Sequence, residues 1–363
     1  MKFLFKKKKQ GFTLIELLAV IVILAIVLAI ALPSITGLIG NTTKKAFLMD
    51  AKMVIKAIDY QLLEGYDLES SPITKRNFDE VLNLSAKNYE SVSVALDEKD
   101  EPYVKLVGQN KWEGLTTCGT YKDMLIGKTN EIKCEVSFVC GKKFFDLRYY
   151  SDGIKNTYKT VQIGDQCWFA ENLRYTGEGT ENFCLVDSID DWKDESSYGA
   201  CMKNTDDSCD YEENYCEWDF DEEVLYQWGA VMNDKLESQN EEVIQGLCPD
   251  GWHLPTVAEW DTLVEKLGNE SSVGAKLKSF SEWNGDKVEN SGFNARPAGY
   301  RDMLGVLNNV GYSVDWWSSS LEDGSKVCGR YMNSDNSNVY HNSYSQGNGC
   351  SVRCVRDLNS VSP

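Results

Sequence analysis

"LCPDGWHLPTVAEWDTLVEKLG", residues 247–268, has the sharpest local grammar in this 363-residue chain. Thr256 followed three residues later by Glu259 is a capping-box pattern, in which hydroxyl and carboxylate satisfy backbone N–H groups at a helix start. Val257, Trp260, Leu263, Val264 and Leu267 then share one helical face, and Gly268 ends it. The spacing predicts an amphipathic helix that turns an aromatic edge toward a core.

Four further strings lie outward from this one. "YKTVQIGDQCWFAENLRY" (158–175) places Tyr158, Val161 and Ile163 before a Gly-Asp turn and Trp168. Downstream come "GFNARPAGYR" (292–301), "WWSSS" (316–320) and "GCSVRCVRD" (349–357). Together the five motifs resemble the Fibrobacter succinogenes major paralogous domain, over about residues 140–357. That resemblance implies a compact, surface-displayed α+β domain related to C-type lectin-like and sulfatase-modifying-type folds. It also implies two helices, curled antiparallel strands and long loops.

Twelve cysteines all lie at or after Cys118, an even number that reads as a disulfide framework in an oxidising compartment. With only two histidines, His253 and His341, and no CxxC pair, zinc-ligand spacing is absent. The lectin-like plan implies Cys248–Cys354 and Cys328–Cys350. Cys140 and Cys167 bracket the first strands and are expected to pair, which leaves Cys118 with Cys134. Cys184, Cys201, Cys209 and Cys216 stay unassigned among themselves, because spacing does not decide connectivity.

The chain opens on Lys6 to Lys9, Gln10 and Gly11, then a run from Phe12 to Leu32 in which Glu16 is the only charge. The run is long enough to cross a bilayer as a helix, and the lysines before it predict a cytoplasmic N-terminus. A secretory signal would carry small residues after its apolar stretch, whereas Gly11 comes before it. Gly11-Phe12-Thr13-Leu14-Ile15-Glu16 resembles the prepilin leader of type IV pilins and pseudopilins. The resemblance implies cleavage after Gly11 by a membrane-embedded aspartic peptidase and N-methylation of Phe12. Glu16 would be the fifth residue of the product, where a buried carboxylate needs a counter-charge. The Phe12 amine of a neighbouring subunit is the expected partner.

Past Pro33, which is expected to kink the helix, Phe47, Ala51, Val54, Ile55, Ile58 and Leu62 keep helical spacing up to Gly65. Ser91–Leu96 and Tyr103–Val107 alternate as strands of a small antiparallel sheet lying on that helix. The expected fold class is α+β, a long membrane and pilin helix with a small sheet, then a disulfide-rich, C-type lectin-like domain. The expected divisions are a leader at 1–11, a transmembrane and assembly half-helix at 12–33 and a pilin-like head at 34–139. The lectin-like domain follows at 140–357, and 358–363 is a tail.

The formal charge of −19 becomes −24 without Lys2 and Lys6–Lys9, which argues against nucleic-acid partners. Residues 178–242 hold 21 acidic and 3 basic side chains, an insertion read as a solvated loop pinned by cysteines. Asp206, Asp207 and Asp210, with Asp219 and Asp221, are weak calcium candidates without EF-hand spacing. No cofactor is expected.

No HExxH, GxSxG or phosphate-binding glycine loop occurs, and His253 reads as structural, so no enzyme is expected. The Glu/Gln-Pro-Asn/Asp and Trp-Asn-Asp elements of calcium-dependent lectins are absent, and a sugar site among the ten tryptophans and eighteen tyrosines is not located. The expected protein is a minor or tip subunit of a type IV pilus-like filament, displaying the C-terminal domain for adhesion. It would sit in the cytoplasmic membrane before processing and on the cell surface after it. Expected partners are other pilin subunits, the prepilin peptidase, the membrane and a glycan or surface protein. The alternative is a pseudopilin of a type II-like secretion system with a substrate-recognition domain.

Overall fold

The computed structural model describes residues 22, 41–68, 71–148, 157–175, 184–185, 192, 200–203, 223–232, 243–279, 283, 291–323 and 326–358. The first element, α1, is helical over 41–63. Phe47, Ala51, Val54, Ile55 and Ile58 bury one face of it completely, and Gly65 closes the segment at φ +91°. Phe47 stacks on Trp112 with ring centroids 4.5 Å apart, and Tyr89 donates to the Asp50 carboxylate.

A second, short helix follows, α2 (Phe78–Leu82). Then come four antiparallel strands in sequential order, β1 (Tyr89–Leu96), β2 (Pro102–Gly108), β3 (Leu115–Gly119) and β4 (Met124–Lys128). Among the described residues no helix is long and apolar enough to cross a membrane. Apart from Val22, the expected span at 12–33 lies outside the described residues.

The second unit is α+β with mostly antiparallel sheets. β5 (Lys143–Phe145), β6 (Thr157–Ile163), β7 (Gln166–Phe169) and the final strand join in the order final-β7-β6-β5. Gly164, at φ +62°, makes the two-residue turn between β6 and β7, a conformation that side chains with a Cβ adopt at a cost. A second sheet holds β8 (Cys184–Leu185), β9 (Ala200–Lys203), β10 (Val224–Gln227), β11 (Tyr300–Arg301), β12 (Leu307–Asn308) and a later strand. The third is a meander of β13 (Ser313–Asp323), β14 (Lys326–Asn333) and β15 (Tyr340–Ser345). β16 (Gly349–Cys350) completes the second sheet, and β17 (Val355–Asp357) is the final strand of the first. Among the described strand pairs only β8 with β9 is parallel. The helices described in this unit are α3 (Trp228–Met232), α4 (Val257–Leu267) and α5 (Gly274–Leu277). α4 carries both halves of its capping box, Thr256 and Glu259.

Pairs of consecutive large side chains divide the interior. Side chains along a strand leave alternate faces, so neighbours in sequence enter different cores. Trp168 and Trp316 pack with Trp260 of α4 in one cluster, while Phe169 and Trp317 enter another with Tyr226, Trp252 and Val327. On β5 the same rule joins the two units: Phe144 packs in the second unit and Phe145 with α1 and β1 in the first. The chain just past residue 140 is thus common to both. Arg148 reinforces the joint, its Nη1 donating to Leu247 O at 2.6 Å while its guanidinium grips Asp146.

Among the described residues three disulfides are formed, Cys118–Cys134, Cys140–Cys167 and Cys248–Cys354. The expected Cys328–Cys350 bridge is not formed, and both carry free thiols. Alternation is again the reason. Val327 points into the core cluster that contains Cys350, so Cys328 beside it leaves the opposite face of β14. Cys209 and Cys216 lie outside the described residues, as do the side chains of Cys184 and Cys201.

A buried carboxylate, Asp315, lies two residues before Trp317 on β13. Asp315 accepts hydrogen bonds from Tyr344 and Ser313, and burial outweighs them to push its carboxyl up to about 7. The fold therefore favours protonated Asp315. The resulting stability is fully present below the ordinary carboxylate range and is lost as pH rises through about 7. Denaturant melts are expected to show stability falling across that window, and Asp315→Asn to flatten the slope. Peptide mapping of alkylated, unreduced protein is expected to find Cys328 and Cys350 capped and the three bridges intact. Phe145→Ala, which empties the joint on the first unit's side, is expected to cost about 3–5 kcal/mol in chemical denaturation.

Candidate functional site

The helix that bears the first unit has two apolar faces. One is the buried stripe already described. The other is solvent-facing and consists of Met49, Met53, Tyr60 and Leu63, with relative exposures of 71, 55, 60 and 86%. At 3.6 residues per turn these four fall within about 80° of arc, opposite the buried stripe. By the same spacing Lys56 falls inside this arc and Lys52 near its edge, and both turn their ammonium groups aside to 5.1 Å from the Tyr121 ring. The sequence reading found the buried stripe and missed the exposed one, although the spacing 49, 53, 60 and 63 contains it. Gly11, Phe12 and Glu16 lie N-terminal to this helix and outside the described residues.

In the second unit His253 is 8% exposed, with Nε2 2.5 Å from Glu259 Oε1. The other Glu259 oxygen accepts from Thr256 N at 2.8 Å. Burial pushes the Glu259 carboxyl up, but the His253 and Thr256 hydrogen bonds outweigh it and hold the group below its ordinary value. The His253 backbone exchanges hydrogen bonds with Val355 on β17. These contacts fasten the start of α4 to the last strand, and they leave the imidazole engaged in positioning.

A fully buried cation organises the interior behind α4. Arg353 donates from Nε to Asn172 Oδ1 at 2.7 Å and from Nη1 to the carbonyls of Phe169 and Phe293 at 2.9 and 2.7 Å. Its guanidinium lies 4.5 Å from the Phe293 ring. Burial draws its pKa down to about 9, partly offset by Glu223 and Glu171. Asn172 in turn donates to Glu223, which holds Arg296 at 3.2 Å. This network ties β7, β10, the 292–301 string and the C-terminal string together; "SVRCV" alone carried no sign of it, because an arginine between valine and cysteine has no local partner.

At the joint of the two units lies a cleft of about 320 Å³, lined by Lys105, Glu135, Arg148, Asp250 and Arg356 among others. It is of a size that admits a small polar ligand. The calcium candidates Asp206, Asp207, Asp210, Asp219 and Asp221 lie outside the described residues.

Comparison with known families agrees with both ends of the chain. Residues 6–32 match the prokaryotic N-terminal methylation motif, the signal of type IV pilins. That motif implies processing by a prepilin peptidase and assembly with other pilin subunits, and it fits a chain that is membrane-anchored first and surface-exposed in a filament afterwards. No curated protein and no solved structure matches the chain. Residues 161–356, more than half of the sequence, match the Fibrobacter succinogenes major domain, and the chain belongs to that family.

Proposed function

We propose that the protein is a minor or tip subunit of a type IV pilus-like filament, and that its C-terminal unit acts as a lectin-like adhesion module without enzymatic activity. The observation that carries this reading is the exposed stripe of Met49, Met53, Tyr60 and Leu63 on α1. A largely apolar face on the helix downstream of the methylation motif supports burial against neighbouring subunits, since exposed stripes of this kind mark interaction surfaces. Glu16, inside the apolar run, supplies the charge that selects the amine of a neighbour. The second reason is bulk. A C-terminal unit that matches its family over 161–356 crowds lateral positions in a helical array, which favours sparse or terminal placement.

Adhesion is supported by the outward mounting and by the many aromatic side chains able to stack on sugar rings. A glycan array probed with the filament-mounted protein, with and without calcium, tests it; absence of binding in both conditions directs the search to protein ligands. Antibody against the C-terminal unit is expected to label filament ends or isolated points, and continuous lateral labelling contradicts the tip placement. Loss of protein export on deletion, with attachment intact, would identify a secretion pseudopilin instead.

Replacing Gly11 with a bulky residue is expected to leave full-length protein in the membrane, read as an unshifted band. Glu16→Val is expected to be cleaved yet excluded from sheared filaments. Met53→Lys combined with Tyr60→Glu is expected to lower filament incorporation while changing the stability of the isolated chain by no more than about 0.5 kcal/mol, as for other exposed positions.

A further inference from the structure

Three side chains from separate segments converge on the outer side of α4. Asp261 comes from the helix, Glu270 from the turn after it, and His341 from β15. His341 Nε2 lies 3.3 Å from Asp261 Oδ1 and 3.2 Å from Glu270 Oε1, and the three donor atoms all fall within 4.8 Å of one another. All three remain open to solvent, with side-chain exposures of 44, 59 and 46% for Asp261, Glu270 and His341. The geometry points to a divalent transition-metal site, of the type zinc occupies, formed by Asp261, Glu270 and His341.

Spacing is the first argument. Ligands about 2.0–2.2 Å from a common ion are separated from each other by about 3.0–3.5 Å in tetrahedral or octahedral arrangements, as the two short distances here are. Donor chemistry is the second. One imidazole with two carboxylates suits zinc and its first-row neighbours, whereas calcium prefers an all-oxygen set.

Preorganisation is the third. His341 is the cross-strand partner of Arg330, and Arg330 donates to Asp261. Val339 N bonds Glu270 O at 2.8 Å, tying the turn to the chain that enters β15. Arg330, itself 1% exposed, fixes the aspartate from beneath, the role an outer-shell donor plays at metal sites. Its Nη1 also lies 3.8 Å from Glu270 Oε1, so it faces both carboxylates and opposes a cation electrostatically, but its single charge balances only one of the two. With neutral imidazole the group carries a net −1, which a dication reverses. A bound ion would add a clip between α4 and the β13–β15 meander, which already share an apolar cluster. The site is independent of filament assembly and of the ligand on the adhesion surface.

The test is calorimetric titration of the EDTA-stripped, detergent-solubilised full chain with zinc chloride alone, near neutral pH, alongside thermal melting. One saturable ion per chain and a raised melting temperature are expected. Loss of an outer-shell partner already costs metal sites roughly 10–100-fold, so removal of a direct ligand in His341→Ala or Glu270→Gln should weaken binding at least about 100-fold. Glu270 is the more exposed of the two, which keeps one variant informative if the other fails to fold. Absence of saturable binding overturns the site. Zinc binding that survives both substitutions places the ion elsewhere, on the acidic insertion or on Cys328, and overturns it too. A chain stabilised by acidification through the histidine range, with no response to zinc, would identify a plain ion-pair cluster around an imidazolium.

Discussion

Alternation of side chains across a β-strand is the constraint on which most of this structure rests. Trp168 with Phe169, Trp316 with Trp317 and Phe144 with Phe145 each send one ring to either side of a strand. Aromatic side chains bury the largest areas available to a residue, so each pair commits its strand to being covered on both faces. A one-residue slip in register would exchange the partners of every ring at once. That consequence locks the sheets against one another more firmly than any single hydrogen bond.

The joint between the units follows from the same rule. Because Phe144 and Phe145 are adjacent, movement of the second unit away from the head must expose one ring or the other. With Arg148 bridging Asp146 and the Leu247 carbonyl, β5 is a shared element. The helix is likewise divided by period, with the stripe through Phe47 and Ile58 holding the head and the stripe through Met49 and Leu63 left exposed.

Buried charge is handled in two ways. Arg353 is retained as a cation by carbonyls, Asn172 and two nearby carboxylates, while Asp315 lacks comparable support and is held toward its neutral form. Neither is visible from local sequence. Each depends on which atoms the fold brings within hydrogen-bond distance across long chain separations.

Much was legible beforehand wherever the determinant is local. The capping box at Thr256 and Glu259, the tight turn at Gly164 and the buried stripe of α1 are set by residues within a few positions of one another. The methylation motif and the five ordered strings were equally readable and carried the family. The error at Cys328 and Cys350 arose because pairing depends on which face of β14 a side chain leaves, and that needs the register against β13 and β15. The exposed stripe of α1 was present in the spacing, yet only the packed head separates a face that is covered from one that is not.

By itself, then, the sequence determined how the chain is processed, where helices and turns begin, and the α+β class, since those depend on short-range spacing and on the cost of unpaired backbone groups. Tertiary structure alone decided which thiols meet, which carboxylate is held toward its neutral form, and that Asp261, Glu270 and His341 share one surface. Those outcomes depend on distances between residues far apart in the chain, which are set only when the strands adopt their register.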